Sequence, residues 1–307
     1  YWTHLSVAER LARLPSDYTA TPLVLISINN TWNWPKKKSN HCNACCWRKV
    51  ELMAGREKSK RNGLNKSELN RFIEPRIQEF HQRRLQNLME LQLKKILARK
   101  NPYLFKAKNQ NTAQDLIRSI LDAHLSSQEE GIFGSFLEEL AIFVCRKAYG
   151  GQKSSAEGID LEFQKDQVRW LVSIKSGPNW GNSRQIAKMR DDFKKAKRIL
   201  GTNAKMARPV QAINGCCYGK DDKPEKGDYR KLCGQRFWEF ISGDANLYTE
   251  IIEPIGHKAR EKNEQFLLEY AKVINRFTRE FSQEYCAVNG EILWDKLVQF
   301  NSGKKAE

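Results

Sequence analysis

The 307-residue sequence has no apolar run that approaches the roughly 20 residues needed to cross a bilayer. A short apolar stretch within residues 21–29 lacks the flanking pattern of a signal peptide. These two absences argue against a membrane-spanning or exported protein, and we expect a cytoplasmic one.

The sequence also lacks the motifs of several common enzyme classes. Its five histidines are scattered without HxH or HExxH spacing, and no glycine-rich phosphate loop of the P-loop or Rossmann type is present. It contains no motif of a serine- or cysteine-nucleophile hydrolase. Internal repeats and coiled-coil heptads are absent as well, which leaves a globular chain with one large domain or one domain plus a helical appendage.

Positive charge is what the sequence has in excess. The formal net charge is +17 at pH 7, which predicts a polyanionic partner, either nucleic acid or an anionic membrane surface. Residues 1–63 hold eleven basic and four acidic residues, show no persistent period, and contain no methionine before Met53. We interpret this segment as a poorly ordered or non-native leader. A basic arm that follows a phosphate backbone is the alternative.

Cysteine is moderately frequent, with eight residues, and a cytoplasmic location predicts reduced thiols. The cluster of Cys42, Cys45 and Cys46 follows His41 and includes a C-x-x-C pair. A zinc site normally needs a second ligand pair at a defined spacing. Because no such pair follows nearby, we expect unpaired thiols rather than a structural zinc.

Apolar periodicity and cap signals predict helices on both sides of a central β region. One long helix or two are predicted over residues 65–99, and further helices from about 112, over 132–148, over 182–201 and over most of 229–300. Strands are predicted over 158–176 and 209–218. The order helix, hairpin, helix, strand predicts an α/β core with a mixed sheet, flanked by N- and C-terminal helices.

The predicted hairpin carries the most informative residues. Residues 160–163 and 171–175 alternate polar and apolar side chains, and residues 164–167 form a credible turn. In a symmetric hairpin, Asp160 lies opposite Lys175 and Glu162 lies opposite Ser173. Since side chains two apart share a sheet face, these four polar groups would form one cluster.

Such a cluster suits the metal-assisted hydrolysis of a phosphodiester. Carboxylates hold a divalent ion, which polarises the phosphate and lowers the pKa of a bound water. A lysine orients that water or offsets the charge that develops on the phosphate. The following turn, residues 176–182, leads into a helix N-terminus, where free backbone N–H groups favour a phosphate. An ordinary strand-to-helix loop is the alternative for this turn.

The element order, with Asp160 and Lys175 so placed, resembles the PD-(D/E)XK nuclease superfamily. Residues 64–290 resemble type II restriction endonucleases, in a PmeII-like branch. The narrower resemblance rests on residues 101–105 (NPYLF), the helix 133–144 with its LEEL segment, residues 173–183 (SIKSGPNWGNS) and residues 234–240 (GQRFWEF). It implies a restriction-endonuclease-like fold, Mg²⁺-dependent hydrolysis of double-stranded DNA, a homodimer and a cognate DNA methyltransferase.

One position departs from the superfamily pattern. Ser173 stands where an Asp or Glu is usual, and a hydroxyl is a poor ligand for a hard cation. The resemblance implies that Asp160 and Lys175 are catalytic and that another acid, Glu138 or Glu162, joins Asp160 at the metal. Glu139 is a third candidate that points in another direction, and a catalytically inactive site is the remaining alternative.

DNA contacts are predicted along the turn, the helix that follows it and the C-terminal part: Ser176, Asn179, Asn182, Ser183, Gln185, Lys188 and Arg236. The chain divides into the leader (1–63), an N-terminal helical region (64–130), the nuclease core (131–220) and a C-terminal helical region (221–307) for recognition and dimerisation. Two other functions stay open, namely a structure-specific repair or recombination nuclease and a non-catalytic DNA- or RNA-binding protein.

Overall fold

A computed structural model describes residues 64–202 and 209–304 of the chain. The predicted leader, and with it the cysteine cluster of residues 42–46, lies outside the described residues. The described residues belong to one compact unit. Across the described part, no helix is both long enough and apolar enough to span a membrane.

Helices form the described part of the chain that precedes the sheet. They are α1 (Lys66–Met89), α2 (Leu93–Leu97), α3 (Pro102–Ala107) and α4 (Ala113–Tyr149). Asn65 caps α1, as predicted, because its side chain accepts a hydrogen bond from the Ser67 N–H at 3.0 Å. α4 is one continuous helix of 37 residues, so the prediction of two helices, the second beginning near residue 132, is wrong. Tertiary packing overrides the low helix propensity of Gly131 and Gly134.

The sheet has five strands in the order β1-β2-β3-β4-β5. They are β1 (Gln152–Lys153), β2 (Leu161–Lys165), β3 (Val168–Lys175), β4 (Val210–Cys216) and β5 (Arg230–Cys233). The first three strands are antiparallel, and β3, β4 and β5 are parallel. The helix α5 (Ser183–Thr202) makes the crossover from β3 to β4. The predicted α/β core with a mixed sheet is confirmed.

The β2–β3 hairpin turns more tightly than predicted. Asp166 and Gln167 have φ angles of 52° and 61°, which is the backbone of a two-residue hairpin turn. Glu162 therefore pairs with Leu171 instead of Ser173, and the predicted register is wrong by two residues. Because the shift is even, the polar side chains stay on the same face of the sheet.

The remaining helices follow the sheet. They match the helices predicted after residue 229, except that residues 230–233, which were included in that helical prediction, form β5. They are α6 (Gln235–Ser242), α7 (Leu247–Glu250), α8 (Ile252–Ile255), α9 (Ala259–Tyr285) and α10 (Trp294–Ser302). One buried cluster joins α9 and α10 to α2, α3 and the first half of α4. A second cluster packs α5 on the sheet through Leu171, Met189, Phe193 and Ala212. With α5 fixed in this way, its N-terminus stays close to the carboxyl end of β3.

Candidate active site

Asp160 lies directly before β2, at the hairpin end away from the turn. Its Oδ2 accepts a hydrogen bond from the Ile174 N–H at 2.6 Å and a longer one from the Ser173 hydroxyl at 3.5 Å. The same oxygen lies 3.9 Å from Lys175 Nζ, and the Asp160 side chain is 24 % exposed. All three contacts involve Oδ2, so this carboxylate is held in place while Oδ1 takes part in none of them.

Lys175 is the last residue of β3, and its side chain turns towards Asp160 despite the shifted register. Its ammonium also lies 5.3 Å from the centroid of the Trp180 ring. The side chain is 31 % exposed, so its neighbours cover it only in part. The two residues predicted as a pair therefore meet at one end of the sheet.

Ser173 and Asn214 lie side by side in β3 and β4 and are buried, with exposures of 2 % and 1 %. Asn214 Nδ2 donates to the Ser173 carbonyl at 3.2 Å, and Asn214 Oδ1 accepts from the Trp180 indole N–H at 3.1 Å. Sequence reasoning missed both Asn214 and Trp180. The available signal was an asparagine inside a mostly apolar strand, where this residue type is disfavoured.

Glu162 is engaged elsewhere in the hairpin. Its Oε2 accepts from Arg169 at 3.2 Å and its Oε1 accepts from the Gln152 amide at 2.9 Å. The side chain is only 13 % exposed. Glu162 thus shares the face of Asp160, but both of its oxygens already have protein donors.

Glu138 approaches the carboxyl end of the sheet from α4. Burial raises the pKa of the Cys217 thiol to about 12, and the nearby Glu138 carboxylate adds to the rise. The Cys217 N–H in turn donates to the Lys175 carbonyl at 2.9 Å. Glu138 is 32 % exposed and pairs with the exposed Lys153 at 3.6 Å, whereas Glu139 pairs with Arg76 at 3.0 Å.

The donor set can be compared with the needs of a hard divalent cation. Within residues 64–202 and 209–304, no three His, Cys, Asp or Glu side chains are grouped closely enough to hold a metal ion. Mg²⁺ in phosphoryl-transfer sites is bound through one or two carboxylates, substrate phosphates and water. A single carboxylate such as Asp160, whose side chain is 24 % exposed, fits that smaller requirement.

The predicted DNA-binding residues at the start of α5 have a structural role. Asn182 Oδ1 accepts from the Gln185 N–H at 3.1 Å, and Gln185 Oε1 accepts from the Asn182 N–H at 2.9 Å. This reciprocal pair is a capping box. Further along the helix, Lys188 contacts Glu157 at 3.2 Å and Asp192 at 3.1 Å.

The other predicted DNA contacts are accessible to solvent. Asn179 and Ser183 are exposed, and Ser176 is half-buried. Arg236 is exposed and donates to the Asp221 carbonyl at 3.4 Å. The structure thus gathers Ser176, Asn179 and Ser183 around the loop after β3, while Arg236 lies on α6.

The loop after β3 is fixed by the residues that follow β4, both in the next loop and in β5. A Cβ atom at Gly177 would collide with the ring of Tyr218, so only glycine allows this close approach. Lys231 Nζ donates to the Pro178 carbonyl at 2.8 Å. The segment that follows Lys175 is therefore packed against the sheet rather than loosely attached.

One family model matches the chain, described as type II restriction endonuclease EcoO109I, over residues 67–263. The matched range covers the sheet, α5 and every candidate residue from Glu138 to Arg236. No curated protein matches the chain.

Proposed function

Because the chain belongs to the type II restriction endonuclease EcoO109I family, whose activity is hydrolysis of DNA phosphodiester bonds, we propose that it makes sequence-specific, Mg²⁺-dependent cuts in double-stranded DNA. The observation that carries this proposal is the pair of Asp160 and Lys175 at the carboxyl end of β3. Both residues lie within the matched range and both are partly exposed.

In this proposal Asp160 and Lys175 have different roles in hydrolysis. Oδ2 of Asp160 stays hydrogen-bonded to the Ile174 N–H, and Oδ1 is the carboxylate oxygen that would bind Mg²⁺. When bound, Mg²⁺ polarises the phosphate and lowers the pKa of a water. Lys175 faces the same space and offsets the negative charge that develops on the phosphate.

Glu138 is the better supported candidate for a second acid. Its partner is one exposed lysine, Lys153, at 3.6 Å, and such a pair is weak and easily exchanged. Glu162 would have to give up Arg169 and Gln152 first. Ser173 acts on Asp160 through its hydroxyl and is not itself assigned as a ligand.

DNA contacts are proposed along the loop after β3, the first turns of α5 and α6. The residues are Ser176, Asn179, Asn182, Ser183, Gln185, Lys188 and Arg236. A palindromic site has two strands to cut, which favours a homodimer. The remaining parts of the proposal are a cognate methyltransferase, a cytoplasmic location and a PmeII-like branch.

The first test is incubation of the purified protein with plasmid and phage DNA, with Mg²⁺ or with EDTA. Discrete fragments that require Mg²⁺ are expected, and mapping their ends gives the site. A smear would instead indicate a non-specific or structure-guided nuclease. Binding without any Mg²⁺-dependent product would indicate a non-catalytic DNA-binding protein.

Lys175→Ala tests the assignment at the level of one residue. We expect cleavage to fall about 10³-fold because a charge that stabilises the transition state is lost, while DNA binding is retained. Lys272→Ala on α9 is the control for losing one exposed lysine, and it should cleave at the wild-type rate. Cleavage that survives Lys175→Ala would refute the proposed site.

A further inference from the structure

The ammonium of Lys175 has an aromatic neighbour as well as a carboxylate. Its Nζ lies 5.3 Å from the centroid of the Trp180 ring and 3.9 Å from Asp160 Oδ2. A lysine ammonium within about 6 Å of a tryptophan face is attracted by the ring quadrupole. Since a close charge-assisted hydrogen bond spans about 2.7–2.9 Å, the ion pair alone holds this flexible side chain loosely.

Trp180 is itself held by a buried amide. Its indole N–H donates to Asn214 Oδ1 at 3.1 Å, and Asn214 Nδ2 donates to the Ser173 carbonyl at 3.2 Å. Asn214 is 1 % exposed, and a buried amide is costly when it lacks such partners. The amide therefore fastens the Trp180 ring to the two strands, β3 and β4, that lie beneath the site.

We propose that Trp180 and Asn214 are positioning residues for Lys175. The ring holds the ammonium beside Asp160, and the amide holds the ring. The proposal rests on the proposed nuclease function, in which Lys175 faces the phosphate. A charge stabilises a transition state best when it is already in place before the reaction, so removal of the ring should slow the chemical step more than it weakens DNA binding.

Steady-state cleavage by Trp180→Leu and Trp180→Phe tests this arrangement. The leucine variant should lose about tenfold in kcat with KM for DNA unchanged. The phenylalanine variant keeps a ring beneath the ammonium and loses only the donor to Asn214, so its loss should be smaller. Unchanged kcat in Trp180→Leu, or a higher KM with unchanged kcat, would overturn the proposal.

A second tryptophan supplies a matched control. Trp294 lies at the start of α10. The centroid of its ring is 5.2 Å from Lys106 Nζ, so this contact resembles that of Lys175 with Trp180 but lies in a different part of the molecule. Trp294→Leu should leave kcat at the wild-type value. A loss of kcat as large as that of Trp180→Leu would mean that general destabilisation explains both variants, and the proposal would fail.

A double-mutant cycle on unfolding tests the contact without using cleavage. The wild type, Lys175→Met, Trp180→Leu and the double variant are unfolded in urea. The double change should alter the unfolding equilibrium constant about threefold less than the product of the single changes. Additive effects would overturn the positioning proposal even in an active enzyme. If no form cleaves DNA, the proposed function fails, whereas coupling in the cycle would still establish the contact.

Discussion

Two carboxylates lie two residues apart in the same hairpin, and their surroundings differ. Glu162 has both oxygens engaged, with Arg169 at 3.2 Å and Gln152 at 2.9 Å, and its side chain is 13 % exposed. The three contacts of Asp160 all involve Oδ2, and its side chain is 24 % exposed. Both oxygens of the first carboxylate are engaged within the hairpin, whereas Oδ1 of the second takes part in none of these contacts and is the oxygen that we propose for Mg²⁺.

The difference follows from position along the hairpin rather than from residue type. Glu162 pairs with Leu171 inside the ladder, which makes Arg169 a diagonal neighbour within reach of a long side chain. A guanidinium in this arrangement satisfies the carboxylate and leaves little capacity for a metal. Asp160 precedes the ladder, where its cationic neighbour is Lys175, a point charge 3.9 Å away.

The variants Asp160→Asn and Glu162→Gln test whether the two carboxylates differ in role. We expect Asp160→Asn to lower cleavage by about 10³-fold, because the carboxylate proposed to hold Mg²⁺ is lost. Glu162→Gln should keep cleavage within about threefold and cost about 1 kcal/mol of stability through the weakened Arg169 contact. Single-turnover rates and urea midpoints measure the two effects. If Glu162→Gln loses as much activity as Asp160→Asn, Glu162 takes part in cleavage and the two carboxylates do not differ in role.

A smaller effect is expected at Glu138, the proposed second acid. Glu138→Gln should raise the Mg²⁺ concentration for half-maximal cleavage by about tenfold, and excess Mg²⁺ should restore most of the rate. The matched control is Glu139→Gln, since Glu139 is adjacent on α4 but pairs with Arg76. A Mg²⁺ titration of all three proteins measures the shift. Equal shifts in the two variants would remove Glu138 from the metal site.

The proximity of Asp160 and Lys175 could be predicted from local patterns, because strand alternation and a polar turn depend only on neighbouring residues. The register was missed for a physical reason. Strong two-residue turns carry glycine, whereas here Asp166 and Gln167 adopt positive φ without it. The contact between Arg169 and Glu162 depends on that register, so it could not be predicted either.

Two other features depend on contacts between residues far apart in the sequence, so local patterns did not predict them. Asn214 meets Ser173 only because β4 lies parallel to β3 after a crossover, and its sequence position 41 residues away gives no sign of the contact. In α4, Gly131 and Gly134 weaken the local helix signal, but packing of residues such as Leu137 and Leu140 keeps the helix continuous. Both misses come from tertiary contacts.

The smallest expected effects concern the start of α5, beside the Asp160 end of the hairpin. Asn182→Ala removes a cap and should cost about 1 kcal/mol, which lowers Tm by about 2 °C, with cleavage changed by less than about threefold. Gln185→Glu keeps the acceptor of the capping box but adds a negative charge, so stability should hold while DNA binding weakens about threefold at low salt. Thermal melts and binding titrations separate the two roles. If Gln185→Glu binds DNA like the wild type, Gln185 only caps the helix, and the DNA-binding surface must begin elsewhere in the loop after β3.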